Sequence, residues 1–142
     1  MAITSAVCTS FKVELLKGVH NFTASSGNTF NLALYTSDAS LGAATTAYTT
    51  SNEVSGSGYT AKGNALTSVT PVADSTTAVC DFADTSFTSA SFTANGALIY
   101  NSSDSNAAVC AIAFGCDKTA TNGTFTIQFP TADATNAIIR LA

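Results

Sequence analysis

The side chains that could do chemistry in this sequence are few, and histidine is the scarcest of them. His20 is the single histidine among 142 residues, so any serine or cysteine nucleophile activated by a histidine would have to use it. It lies in the segment GVHNF at residues 18–22, and no Gly-x-Ser-x-Gly elbow accompanies it. We therefore expect His20 to bond a helix end or a loop, with a catalytic role as the less favoured alternative.

The nine acidic residues do not form a pattern typical of a catalytic pair. Two carboxylates on either side of a sugar bond can hydrolyse it, and Asp81 and Asp84 are the closest two acids in the sequence. Both flank Phe82 at the predicted end of a strand, and most other acids lie in turn-like contexts such as the one around Asp38. Since an Asp side chain bonds nearby backbone N–H groups in turns, we expect these acids to shape loops.

The four cysteines contain no Cys-x-x-Cys pair, whereas structural zinc sites are usually built from closely spaced ligand pairs. Cys8, Cys80 and Cys110 lie in apolar strings, which is typical of small buried hydrophobic residues. A disulfide and a metal site are the less favoured alternatives. No phosphate-binding, dinucleotide-binding or EF-hand pattern is present, so we expect no cofactor and no catalytic residue.

Contact residues are the stronger candidates. Tyr48 and Tyr59 lie in loop-like segments, and tyrosine is common at protein interfaces. The alternative is that each ring covers an edge of a sheet with its hydroxyl in water. We expect contacts from the N-terminal segment and from residues 51–59, and the candidate interface residues are Phe11, Leu15, Tyr48, Glu53 and Tyr59.

The composition favours a protein that works by contact. Charged residues make up 10% of the chain, against about 25% in typical soluble domains. A surface of small and hydroxylated side chains loses little rotamer entropy when it is covered, and it lacks the charge that keeps proteins apart. The five basic residues form no stripe and the net charge is −4, which argues against nucleic-acid or membrane binding.

Targeting signals are also lacking in the pattern of the sequence. No segment approaches the roughly 18 apolar residues that a membrane-spanning helix needs. The first residues have no basic region followed by an apolar one, so we expect synthesis in a cytoplasm rather than secretion.

The elements that must position these residues are one helix and a series of strands. Val7, Phe11 and Leu15 recur every four positions, which predicts a helix over residues 4–17. Thr4 or Ser5 could cap its start, and Gly18 fits just past its end. After Gly18 the apolar period changes to two, as strands require. The predicted strands are 30–34, 47–50, 65–72, 76–82, 87–93, 97–100, 107–114, 124–129 and 136–141.

Turn signals separate several of these strands. Residues 73–75 predict a hairpin turn, and Asn95-Gly96 and Asn122-Gly123 are strong two-residue turn signals. About eight or nine strands at this spacing are typical of an antiparallel β-sandwich, jelly-roll or immunoglobulin-like. We therefore predict a mainly-β single domain over residues 1–142 with one N-terminal α-helix.

Several stretches resemble small virion structural proteins of tailed bacteriophages. They are CTSFKVELLKGVHNF at residues 8–22, FNLALYTSD at 30–38, AYTTSNEVSG at 47–56 and NAIIRL at 136–141. The resemblance implies a virion component without supplying a catalytic or binding motif. Within that class, the size, the β character and the contact-suited surface favour a head decoration, or cement, protein.

A decoration role predicts particular partners. We expect contact with the major capsid protein or other virion proteins, and a closed homo-oligomer such as a trimer. The alternative is a tail, baseplate or receptor-binding component that contacts the host surface through Tyr48, Tyr59 or residues 102–106. The absence of tryptophan argues mildly against a glycan-binding face.

Overall fold

Two antiparallel sheets form a β-sandwich, and a single helix lies near the N-terminus. A computed structural model describes residues 2–142. In chain order the elements are β1 (Ala6–Val7), α1 (Thr9–Leu16), β2 (Phe30–Tyr35), β3 (Asn64–Ala65), β4 (Ser68–Asp74), β5 (Thr77–Phe82), β6 (Thr85–Asn101), β7 (Ala107–Ile127) and β8 (Ile139–Leu141). The larger sheet has the strand order β1-β7-β6-β2-β3, and the smaller one has the order β4-β5-β8. This confirms the mainly-β sandwich with one helix.

Aromatic side chains connect the two sheets. Phe30 of β2 stacks on Phe22 with ring centroids 4.3 Å apart, and it also lies 5.9 Å from Phe82 of β5. Phe82 in turn contacts Phe129 at 5.6 Å. Tilted aromatic pairs at these distances add to the free energy gained from burying their area. The core therefore lies between β2 and β6 of one sheet and β5 of the other.

The helix is shorter than the sequence predicts. It begins at Thr9 rather than near Thr4, and Cys8 occupies the N-cap position without a side-chain bond. The residues before it are extended because their backbone finds partners elsewhere: Ala6 and Val7 pair with β7, and Ile3 bridges Leu41. These long-range bonds satisfy the same N–H and C=O groups that a helix would use.

The end of the helix is as predicted. Gly18 follows the last turn with φ of 73°, a left-handed conformation that glycine adopts without the steric cost of a Cβ atom. Lys17 occupies the C-cap position.

The predicted turn at Asn95-Gly96 is wrong, because both residues lie inside β6. This strand runs 17 residues from Thr85 to Asn101, and Gly96 pairs with Tyr35 on one side and with Ala113 on the other. A Cβ on Gly96 would lie 2.7 Å from the side chain of Ile3. Glycine is therefore needed here for close packing rather than for a turn.

The predicted turn at Asn122-Gly123 is wrong for a related reason. Asn122 has a left-handed φ of 46°, yet it lies within the 21-residue strand β7. The register between β6 and β7 shifts at this point, so the special backbone conformation makes a bulge in a continuous strand. A wider irregularity places residues 114–117 of β7 opposite Asn95 alone.

The small sheet follows the sequence more closely. β4 and β5 form the predicted hairpin, in which Asp74 pairs with Thr77 and Ser75 has a φ of 57°. The predicted strand at residues 47–50 is reduced to an isolated bridge between Ala47 and Ala107.

Candidate functional site

All four tyrosines converge around Glu53, in a group that we call the tyrosine–glutamate cluster (Tyr35, Tyr48, Glu53, Tyr59 and Tyr100). The Tyr48 hydroxyl donates a hydrogen bond of 2.6 Å to Glu53 Oε2, and the Tyr59 hydroxyl donates one of 2.8 Å to Oε1. The backbone N–H of Lys62 donates a third, of 2.7 Å, to Oε1. Both carboxylate oxygens are thus occupied by donors from this chain.

The remaining two tyrosines bond the segment between β2 and β3, which also carries Glu53, to the larger sheet. Tyr35 of β2 donates to the carbonyl of Thr49 at 2.7 Å, and Tyr100 of β6 donates to the carbonyl of Lys62 at 2.8 Å. The Tyr59 hydroxyl also accepts the N–H of Leu34 at 2.9 Å. These bonds hold the long segment between β2 and β3 against the larger sheet. The tyrosine–glutamate cluster therefore holds that segment in place.

Acid–base chemistry is not supported by the state of these phenols. Burial raises the pKa of Tyr59 and of Tyr48 far above the ordinary value of a phenol, and the hydrogen bond to Glu53 raises it further. Burial, followed by the Glu53 charge, raises the pKa of Tyr100 to about 12. These hydroxyls stay protonated at neutral pH and donate to acceptors of the chain itself.

The raised pKa values predict a loss of stability in alkali. Burial also raises the pKa of Cys8 to about 11 and of Cys110 to about 12. Above about pH 9 the unfolded chain releases protons that the folded chain keeps, so the free energy of unfolding falls as pH rises. The stabilisation is complete below about pH 9 and disappears as pH rises through 11 and 12.

Urea titrations from neutral to strongly alkaline pH, with absorbance of tyrosinate recorded in parallel, would measure this loss. We expect the unfolding midpoint to fall steadily once the unfolded thiols and phenols titrate. Replacing Tyr100 with Phe removes one of the ionising groups and should make the decline less steep. A flat profile up to pH 12 would contradict the assignment.

His20 lies in a second polar group, the histidine cluster (Glu14, His20, Asn28 and Asn101). Its Nε2 lies 3.0 Å from Glu14 Oε1, and its Nδ1 lies 3.0 Å from Asn101 Nδ2. The ring is buried and packs against Phe11, with centroids 4.8 Å apart. His20 thus bonds the helix, as the favoured interpretation predicts, and it also bonds the end of β6.

The hydrogen bonds favour one tautomer of the His20 ring. The N–H of Ser103 donates to Asn101 Oδ1 at 3.0 Å, which turns the amide nitrogen of Asn101 toward His20. Nδ1 is therefore the acceptor, and Nε2 carries the proton that it donates to Glu14. Both nitrogens are engaged by an amide and a carboxylate, and neither a serine hydroxyl nor a cysteine thiol bonds the ring among residues 2–142. The arrangement supports packing rather than activation of a nucleophile.

The cysteines and acids show no further chemistry. Cys8 and Cys110 are buried as predicted, Cys80 is half-buried and Cys116 is exposed, and all four are free thiols. No group of three or more metal-ligating side chains occurs within residues 2–142. Asp133 shapes a turn as expected, because its carboxylate accepts hydrogen bonds from Asn136 and Thr135. These bonds also lower the pKa of Asp133 to about 2.

The predicted interface residues are less accessible than expected. Phe11 is only 1% exposed and belongs to the core, because the helix face that carries it packs on the sheet. Leu15, Tyr48, Glu53 and Tyr59 are half-buried, and the last three bond one another. Within residues 51–59 the exposed positions are serines, Asn52 and glycines.

The sequence analysis missed the residues that α1 does expose. Val13 is 50% exposed and Leu16 is 93% exposed, one turn apart on the helix. The four-residue stripe through Phe11 and Leu15 was the visible signal, and it marks the buried face. Lys12 and Lys17, both exposed, flank the pair. We call Lys12, Val13, Leu16 and Lys17 the α1 patch.

A second surface feature is an open groove beside β7, with a volume of about 710 Å³. We call it the β7 groove. Its apolar residues also pack against the core and are only partly buried, so the interior of the sandwich reaches solvent here. They are Ile112, Phe114, Ala120, Phe125, Ile127, Phe129 and Ile138.

Comparison with protein-family models, curated proteins and solved structures gave no significant match to this chain. None of the helices in residues 2–142 has the length and apolarity needed to cross a membrane.

Proposed function

We propose that this chain is a structural component of a tailed-bacteriophage virion and that it decorates the capsid, stabilising the head lattice by protein–protein contacts. The α1 patch carries the proposal. Its two apolar side chains, Val13 and Leu16, are 50% and 93% exposed. Covering a Val and a Leu side chain contributes at most about 1.5–3 kcal/mol each toward association.

The charges around the α1 patch indicate the kind of surface it would contact. The chain has five basic residues against nine acidic ones, and two of the five flank Val13 and Leu16. A partner surface with an apolar depression and acidic groups at its rim would complement this arrangement. The major capsid protein is the partner that we propose, with other virion proteins as alternatives.

The two polar clusters support a role in binding rather than catalysis. The carboxylate of Glu53 and both ring nitrogens of His20 have partners within the chain. A general base must instead have a free lone pair within reach of a substrate proton. The titratable groups of both clusters serve the fold, which leaves surface contact as the function that the geometry favours.

A tail, baseplate or receptor-binding role is the alternative. Such a role was expected to use Tyr48, Tyr59 or residues 102–106. Tyr48 and Tyr59 are half-buried and their hydroxyls donate to Glu53, which argues against them as exposed aromatic contacts. Ser102, Ser103 and Ser105 are exposed, so this loop is the surface that the alternative would use.

Replacing Val13 and Leu16 with Ser should weaken association with undecorated capsids at least about tenfold, since each 1.4 kcal/mol lost is a factor of ten. The free energy of unfolding should change by less than about 0.5 kcal/mol, because both side chains are exposed. Co-sedimentation with capsids measures the first quantity and urea unfolding the second. The matched control replaces Val69 and Val72, which are 44% and 60% exposed on β4. Equal weakening by the control pair would contradict a specific role for the α1 patch.

Immunogold electron microscopy on purified particles tests the location. Label spread over the head supports decoration, and the thermal stability of capsids should then rise when the protein is added. Label confined to the tail overturns the decoration proposal in favour of the alternative. The absence of label on all particles would contradict the proposed virion role.

A further inference from the structure

We propose that the free edge of β7 pairs, about a two-fold axis, with the same edge of a second copy of this chain. β1 covers β7 only at Cys110 and Ala111. Beyond that point β7 has β6 on one side and, among residues 2–142, no strand on the other. An unpaired strand edge offers a row of N–H and C=O groups to another strand.

The β7 groove lies along this free edge. Pro130 and Ile138, from the segment that connects β7 to β8, complete its lining. Phe125, Ile127 and Phe129 alternate with exposed polar residues and remain only half-buried. Their incomplete burial shows that the sandwich is not closed between β7 and β8. A strand placed beside β7 would cover these side chains and complete the core.

Most other sheet edges are protected. β6 lacks a strand on its β2 side over residues 85–95, but Ser57 bridges Ser91 there. β3 has two residues and β8 has three, of which one is Arg140. β4 carries Pro71, which has no N–H to offer, and Asp74. Short length, charge and proline are the usual means by which proteins prevent edge-to-edge pairing. The edge of β7 lacks charge and proline between residues 119 and 127.

The charge distribution permits a second copy of this chain as the occupant. Residues 119–129 carry no charge, and Lys118 stands just before them. Antiparallel self-pairing of residues 118–127 would place the two copies of Lys118 at opposite ends, about 30 Å apart at 3.4 Å per residue. No like charges would then face each other, and the surface is complementary to itself as a two-fold contact requires.

The backbone limits where the pairing can occur. The irregularity at residues 114–117 distorts the first part of the edge, so pairing is confined to residues after it. The left-handed Asn122 bends the remaining edge in its middle. A two-fold axis beside Asn122 and Gly123 would bend both edges alike and pair Thr121 with Thr124 of the second copy.

The size of such a contact lies at the lower limit of the range for stable dimers. A paired edge about 30 Å long and about 20 Å wide, counting the connecting segment with Pro130 and Ile138 beside it, covers on the order of 600 Å² per copy. Stable interfaces bury about 800 Å² per partner, with a range that includes this value. Each β7 groove would be continued by that of the other copy.

Light scattering after gel filtration and sedimentation equilibrium test the proposal on the purified protein, over micromolar to millimolar concentrations. We expect a dimer. The variant Thr121→Lys/Thr124→Lys should be monomeric, because four lysines would meet at the two-fold axis. Both threonines are exposed, so circular dichroism should show an unchanged fold. The control variant Thr46→Lys/Thr60→Lys adds the same charge at exposed positions outside residues 118–127 and should remain dimeric.

A monomeric or trimeric native protein would overturn the pairing, as would a dimer that survives the β7 substitutions. Neither result would touch the decoration proposal, which depends on the α1 patch and on labelled particles. Conversely, a dimer broken by the β7 substitutions would stand even if no particle carried the protein.

Discussion

Replacing Glu53 with Ala is expected to destabilise the protein by about 3 kcal/mol, with a fall of about 10 °C in the melting temperature. Two phenolic hydroxyls and the N–H of Lys62 would lose the carboxylate that accepts their hydrogen bonds. A donor that loses its partner in a partly buried site costs about 1–3 kcal/mol, and the three losses overlap because they share one acceptor. Urea unfolding followed by circular dichroism measures the change.

Two further variants distinguish the loss of the Glu53 hydrogen bonds from a general effect of removing a negative charge. Glu53→Gln keeps one acceptor oxygen and should lose about half as much stability. Asp38→Ala removes an exposed carboxylate in a turn and should change stability by less than about 0.5 kcal/mol. Equal effects of Glu53→Ala and Asp38→Ala would show that the tyrosine–glutamate cluster does not hold the segment between β2 and β3.

Replacing Asn101 with Ala is expected to cost a similar amount, about 3 kcal/mol. Its side chain is fully buried, donates to His20 Nδ1 and to Asn28 Oδ1, and accepts the N–H of Ser103. The His20 ring is buried, so its Nδ1 would be left without a partner in the interior, where an unpaired polar atom is most costly. The bonds to Asn28 and Ser103 lie nearer the surface and add less. The free energy of unfolding from urea titration measures the loss.

The same variant has a readout that general destabilisation would not move. In the native protein the imidazole nitrogen chemical shifts should show a single tautomer, with the proton on Nε2. Removing the amide donor of Asn101 should allow the other tautomer to appear. Asn95→Ala is the matched control, since Asn95 bonds only Asp117 at the surface and its loss should cost less than about 0.5 kcal/mol. An unchanged tautomer in Asn101→Ala would contradict the hydrogen-bond assignment.

Both clusters make the same kind of connection between the loops and the larger sheet. Tyr100 and Asn101 are adjacent at the end of β6, so one strand end anchors the segment before β3 and the segment after α1. The titratable side chains of the protein are thereby used to position loops. The outer surface is rich in hydroxyls and small residues, with few charged side chains, which suits the contact role that we propose.

Local patterns in the sequence were sufficient for much of the fold. Period-two alternation predicted β2 and the C-terminal part of β7, where Phe125 and Ile127 face inward as expected. The hairpin between β4 and β5 followed from its turn residues. The buried state of Cys8 and Cys110 followed from their apolar neighbours. Such features depend on residues close in sequence, whose side chains must share one face of a strand.

Other features depended on the partner that each segment meets. Asn95-Gly96 and Asn122-Gly123 look alike in sequence, because both pairs tolerate a special backbone conformation. One packs closely against Ile3 and the other forms a bulge, and neither makes a turn. The four-residue stripe through Val7 predicted a helix, but β7 offered the backbone of Val7 a strand partner instead.

The sequence by itself thus determined the β-sandwich class, the presence of one N-terminal helix and the low content of charged residues. Only the tertiary structure decided that the tyrosines converge on Glu53, that His20 is held between Glu14 and Asn101, and that α1 exposes Leu16 rather than Phe11. The physical reason is that hydrogen-bond satisfaction and burial are set by neighbours in space. Tyr35 and Tyr100 are 65 positions apart, yet both bond the segment between β2 and β3. A local hydrophobic period in the sequence cannot predict such a contact.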